Sequence, residues 1–129
     1  MIQLLLGLYA AQQIPGYGKQ VVKIANDMLS IDRINKQQNI TILVFHAMWC
    51  PDCRRNVPMI NTVLGLLGDS VKVQDIAVDY QKVDKFGLAQ KYMVKNIPTV
   101  VVLQNKKELG RIIENPSVSW ETDIGDMMK

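Results

Sequence analysis

The sequence predicts an α/β domain built on a mixed central sheet with helices on both faces, and three observations carry that prediction. Short β-branched runs alternate with longer stretches whose apolar residues recur at helical spacing. The strand-like run ending at Asp79 reaches the one beginning at Thr99 through a helical segment, which reads as a crossover. The runs at 99–104 and 108–114 are separated only by Asn105-Lys106-Lys107, which reads as a hairpin. A chain of 129 residues, 48% of them hydrophobic, is the size of one domain and can bury a real core, so 1–129 is read as a single domain.

Taken in order, residues 1–18 form an extension to a core spanning 19–129. Ile2 to Ala11 has the length of a signal-peptide apolar region and ends in small residues, yet no Lys or Arg precedes it, the first basic residue being Lys19. Leu4, Leu5, Leu8 and Ala11 share a helical face, so a packed N-terminal helix is the preferred reading. It is too short to span a membrane. Pro15-Gly16-Tyr17-Gly18 breaks the chain. From Lys19 to Lys36, Val21, Ile24, Ala25, Met28, Leu29, Ile31 and Ile34 make a helical stripe. Thr41 to Phe45 is a strand, and Arg54 to Leu67 is a helix by Val57, Ile60, Val63, Leu64 and Leu67. A strand at 71–79, a helix at 81–92, the hairpin strands at 99–104 and 108–114, and a last helix opening at Pro116-Ser117 complete the chain. If no strand lies near Gly16, the 71–79 strand becomes a sheet edge that something must cover.

The charge of +3, from 15 basic and 12 acidic side chains spread along the sequence, lacks the basic stripe that nucleic acid would require, so no nucleic-acid partner is expected. The two cysteines stand together in Trp49-Cys50-Pro51-Asp52-Cys53, at the junction of strand and helix. A helix N-terminus favours a thiolate, which singles out Cys50 as nucleophile, and Cys53 one turn deeper as the resolving thiol. A tetrahedral zinc takes four ligands, and beyond these cysteines the chain offers one histidine, His46. Cycling between dithiol and disulfide without a cofactor is therefore expected. One redox pair and no structural disulfide framework fits a reducing compartment, the cytoplasm, with export as the alternative if residues 1–11 are a signal.

Phe45 to Cys53, then Pro58 within the following helix, then Asn96-Ile97-Pro98-Thr99 ahead of a strand, resembles the thioredoxin family from about Thr41 to the C-terminus. The resemblance implies a thioredoxin fold and a thiol–disulfide oxidoreductase that works mainly as a disulfide reductase on protein or small-thiol disulfides and is recharged by an upstream reductase. It further implies that Pro98 is a cis-proline facing the cysteines, that the Ile97 backbone pairs with an extended substrate segment, and that Trp49 and Pro51 contribute to the contact surface. A redox-sensing adaptor that binds a partner without turnover is the alternative.

This chain also departs from the family pattern. The buried aspartate that serves as proton acceptor for the deeper cysteine is Val44 here, and the lysine that often faces it is Asp75. Asp75 either reaches the cavity behind Cys53 and takes over proton transfer, or is a solvent-facing carboxylate on an edge strand. Asp52, between the cysteines, opposes a thiolate on Cys50 and is expected to tune the pair toward a reductant, with Arg54 and Arg55 acting in the opposite sense. His46 at a strand end is either a tuning group or a packed residue. Glu114-Asn115-Pro116 replaces a small apolar part of the family's substrate surface and should disfavour acidic partners.

Overall fold

The computed structural model describes residues 11–18 and 26–128. Its organising strand is β1 (Ile40–His46), of which every residue but Thr41 is buried. Successive strand residues point to opposite faces, so burial of neighbours means that both faces of the sheet are covered. β2 (Val71–Ala77) pairs with β1 in parallel, β3 (Thr99–Gln104) pairs with it antiparallel, and β4 (Lys107–Ile113) closes a hairpin on β3. The order is β2-β1-β3-β4, the mixed sheet expected, and among the described residues β2 is an edge. Val44 lies opposite Asp75 on one side and Val100 on the other.

The helices differ from their expected bounds, and the reasons are local. α1 (Met28–Asn35) starts at Met28 because the Asp27 carboxylate caps it, accepting from the Ser30 amide at 3.1 Å and the Ser30 hydroxyl at 2.6 Å. The stripe from Lys19 to Ala25 lies outside the described residues, as do residues 1–10, on which the N-terminal helix was expected. α2 (Pro51–Leu64) follows β1 with Cys50 as its N-cap and Pro51 at its first position, where a missing N–H costs nothing.

The helix expected over 81–92 is only α3 (Leu88–Lys91). Two aspartates take the preceding backbone out of helical pairing. Asp79 accepts from the amides of Gln81 and Val83, and Asp84 from those of Phe86, Leu88 and Ala89. The last helix, α4 (Trp120–Asp126), opens at Ser119 rather than Ser117, because Asp123 folds back to accept the Ser117 and Val118 amides. α1 and α4 pack closely: Glu121, 1% exposed, accepts from Asn26 and the Asp27 amide, and Gly125 sits against Ser30 with no room for a Cβ. No described helix is long and apolar enough to cross a membrane.

Residues 11–18, expected to continue a helical extension into a breaker, run instead as a strap along α2. Asn61 fastens it, donating to the Ile14 carbonyl at 2.8 Å while accepting the Ile14 amide at 2.7 Å. Gln13 donates to the Asn61 carbonyl and the Ala11 amide to Leu67. The strap then turns at Pro15-Gly16, where Gly16 takes φ +91° and a Cβ would strike the Met48 sulfur at 2.7 Å. That turn places Tyr17 beside the end of β1.

Candidate active site

β1 ends at His46, a short turn follows, and the chain enters α2 at Cys50, whose backbone is still extended at φ −89°, ψ 122°. The Cys50 amide donates to the Ala47 carbonyl and the Arg54 amide returns to Cys50, which closes the first helical turn around the cysteine pair. Both cysteines are free thiols. Cys50 keeps an 8% accessible edge and Cys53 is fully covered, so the first can meet another molecule and the second cannot.

Burial pushes the Cys53 thiol from 9.0 up to about 12, against a backbone hydrogen bond from Ala47, with its own hydrogen bond to Cys50 and the Cys50 and Asp52 charges adding to the rise. Cys53 is therefore a thiol at neutral pH and cannot attack until something removes its proton.

Across the cleft the Ile97–Pro98 peptide is cis, and the Ile97 carbonyl lies 3.8 Å from the Cys50 sulfur. Thr99 donates to Asn96, and the Glu114 amide to the Pro98 carbonyl at 2.7 Å, which ties the loop to the start of β3 and the end of β4. Trp49 donates to the Val78 carbonyl and stacks on exposed Tyr80 at 4.6 Å, with the Lys82 ammonium over its indole. Pro51 lies exposed beside it. Asp52 is ion-paired with Arg55 one turn along, while Arg54 turns away to the Met48 carbonyl. Asn56 donates to the Asp52 carbonyl and reaches toward Asn115.

Of the expected residues, Trp49 to Cys53 run together from the end of β1 into α2, and the Ile97–Pro98 peptide meets them at the Cys50 sulfur. Asp75, in register with Val44, does not stand alone. Its carboxylate bonds to Nε2 of His46, whose Nδ1 meets the Tyr17 hydroxyl at 2.8 Å with the two rings edge-on. His46 is 4% exposed, so the single histidine is both packed and fully hydrogen-bonded. Tyr17 is the residue the sequence reading missed. Only the Pro-Gly turn immediately before an aromatic hinted at it, and nothing in the sequence links position 17 to position 46.

A family model described as Thioredoxin matches residues 18–127. The chain belongs to the thioredoxin family. Among its thioredoxin relatives, the chloroplastic thioredoxin Y of Oryza sativa subsp. japonica is 31% identical over 83 residues, covering 64% of this chain and 47% of that protein. Thioredoxin-1 of Saccharomyces cerevisiae is 31% identical over 85 residues, covering 63% of this chain and 75% of that protein. The chain spans about half the length of the first of these relatives. A mutant thioredoxin from Halobacterium salinarum superposes with a TM-score of 0.52 at 18% identity, covering 92% of this chain and 88% of the other, a likeness of fold.

Proposed function

We propose that this thioredoxin-family chain is a thiol–disulfide oxidoreductase that acts mainly as a disulfide reductase. The observation that carries the proposal is the asymmetry of the pair: an accessible thiol capping a helix, a sealed one a turn deeper, and a backbone carbonyl beside the cis-proline facing the first. The Cys50 thiolate attacks a substrate disulfide, a mixed disulfide forms, and one substrate thiolate leaves. Cys53, once deprotonated, attacks the Cys50 sulfur, expels the second thiolate and closes the Cys50–Cys53 bond. Two electrons pass to the substrate, and an upstream reductase must return them.

In this reading Trp49, Pro51, Ile97 and Pro98 form the contact surface, the Ile97 backbone aligning an extended segment, and Asp52 tunes the pair. Having both cysteines in the redox pair supports a reducing compartment, for which the cytoplasm is our proposal. Dithiothreitol-driven reduction of insulin tests the function. Wild type should turn over, Cys50→Ser should lose all activity, and Cys53→Ser should stall as mixed disulfides. Wild-type binding without turnover would favour the adaptor reading.

A further inference from the structure

Cys53 needs a base, and position 44, where a carboxylate would stand, is a buried valine. Three side chains from three separate segments meet next to that position: Asp75 is the β2 residue paired with Val44, His46 lies two residues further along β1 on the same face, and Tyr17 reaches His46 from the strap. We infer that Tyr17, His46 and Asp75 form a hydrogen-bonded line that takes the proton from Cys53 in the resolving step, replacing the missing carboxylate. The inference rests on the oxidoreductase reading and adds the route of the proton.

The direction of the line follows from what each group can do. A carboxylate only accepts, so Nε2 of His46 carries the hydrogen it shares with Asp75, and Nδ1 is left with a lone pair facing the Tyr17 hydroxyl. The Tyr17 O–H donates to that nitrogen, and its oxygen can then accept from a thiol. When Cys53 gives its proton to the phenol oxygen, the phenol passes its own to Nδ1, and the products are a Cys53 thiolate and an imidazolium held against Asp75. The thiolate forms the bond to Cys50 and the substrate thiolate leaves.

Tyr17 is suited to the middle place. Burial raises its pKa, and the charges on Cys53, Asp75 and Cys50 raise it further against the opposing charge of Arg54, so the phenol stays protonated and relays rather than ionises. Among the described residues, Cys50, Cys53 and Arg54 from α2 and Asp75 from β2 act on the phenol, and Asp84 and Lys85 line a cavity with Asp75 at the far end of the line. The Asp75 side chain is 25% exposed on β2, an edge strand among the described residues, which gives the proton an outlet to water.

The test is stopped-flow reaction of the reduced protein with a stoichiometric aromatic disulfide, which reports two successive thiolate releases. The first is attack by Cys50, the second resolution by Cys53. Tyr17→Phe, which keeps the ring, together with His46→Phe and Asp75→Asn, should leave the first release near wild type. They should slow the second on the order of 100-fold at neutral pH. In His46→Phe the second rate should climb steeply into the alkaline range, since only direct ionisation of the Cys53 thiol, raised to about 12, then frees it, while the wild-type rate should depend less on pH. A second release unaffected in all three, or slowed with its pH profile unchanged, overturns the relay while leaving the oxidoreductase standing. Absence of both releases in wild type defeats the oxidoreductase reading itself, and the relay with it.

Discussion

Asp52 illustrates how a single charge acts beside a thiol. It stands in the first turn of α2, where it both complements the helix terminus and opposes a thiolate on Cys50. Its ion pair with Arg55, between side chains 40% and 66% exposed, dilutes that opposition, since solvent and the guanidinium share the field. Replacing Asp52 by Asn should stabilise the reduced thiolate form and raise the redox potential, but only on the order of 10 mV. Equilibration against glutathione measures it, and an unmoved or lowered potential would remove Asp52 from the tuning groups. The same position shows what the sequence could convey. Asp52 and the cysteines were legible because they are adjacent in the chain, whereas the Arg55 pairing and the cis geometry at Pro98 needed coordinates or family resemblance.

At the scale of elements, the strap and the short α3 show side chains deciding what periodicity alone misread. Val83, Phe86, Leu88, Ala89 and Tyr92 have helical spacing, yet Val83 and Phe86 are exposed and the backbone there answers to Asp79 and Asp84. An aspartate that can reach an amide two to five residues ahead outcompetes a helix, and the apolar pattern carries no mark of it. The strands were read closely because their β-branched runs are bounded by polar turns. Asn61 is the corresponding control point for the strap. Asn61→Ala removes both bonds to Ile14 at once, a loss of about 2 kcal/mol at roughly 1 kcal/mol per hydrogen bond. If the relay runs through Tyr17, the same change should also slow the second thiolate release, since Tyr17 is held in place from this anchor. A denaturant titration gives the first quantity and the stopped-flow trace the second.

For the molecule as a whole, topology and the cysteine site could be read from local patterns, while the Tyr17–His46–Asp75 convergence could not, because it joins segments 29 residues apart on each side of His46. The groups whose acidity folding alters fall on two sides of neutrality, and they fix how stability responds to pH. On the acid side, Ser30 and Thr122 hydrogen bonds hold Asp27 down to about 2 from 3.8. Burial would raise Asp84, but hydrogen bonds from the backbone amides of Ala89, Leu88, Phe86 and Asp84 itself outweigh it, and Arg111 holds Glu108 down. A depressed carboxylate contributes stability that is present above its unfolded pKa and lost as pH falls through the folded one. Unfolding midpoints should therefore drop below about pH 4. On the alkaline side the sign reverses. Cys53 keeps its proton in the folded state while the unfolded thiol releases it from 9.0 upward, so the reduced protein should lose stability from about pH 9. Closing the Cys50–Cys53 disulfide removes both thiols from titration and leaves Tyr17, whose ordinary value is 10.0, as the raised group. The oxidised protein should therefore hold its plateau about one pH unit further than the reduced one. Urea midpoints of the two forms between pH 7 and pH 10.5 check this, and coincident alkaline limbs would mean that Cys53 is not sealed as the fold places it.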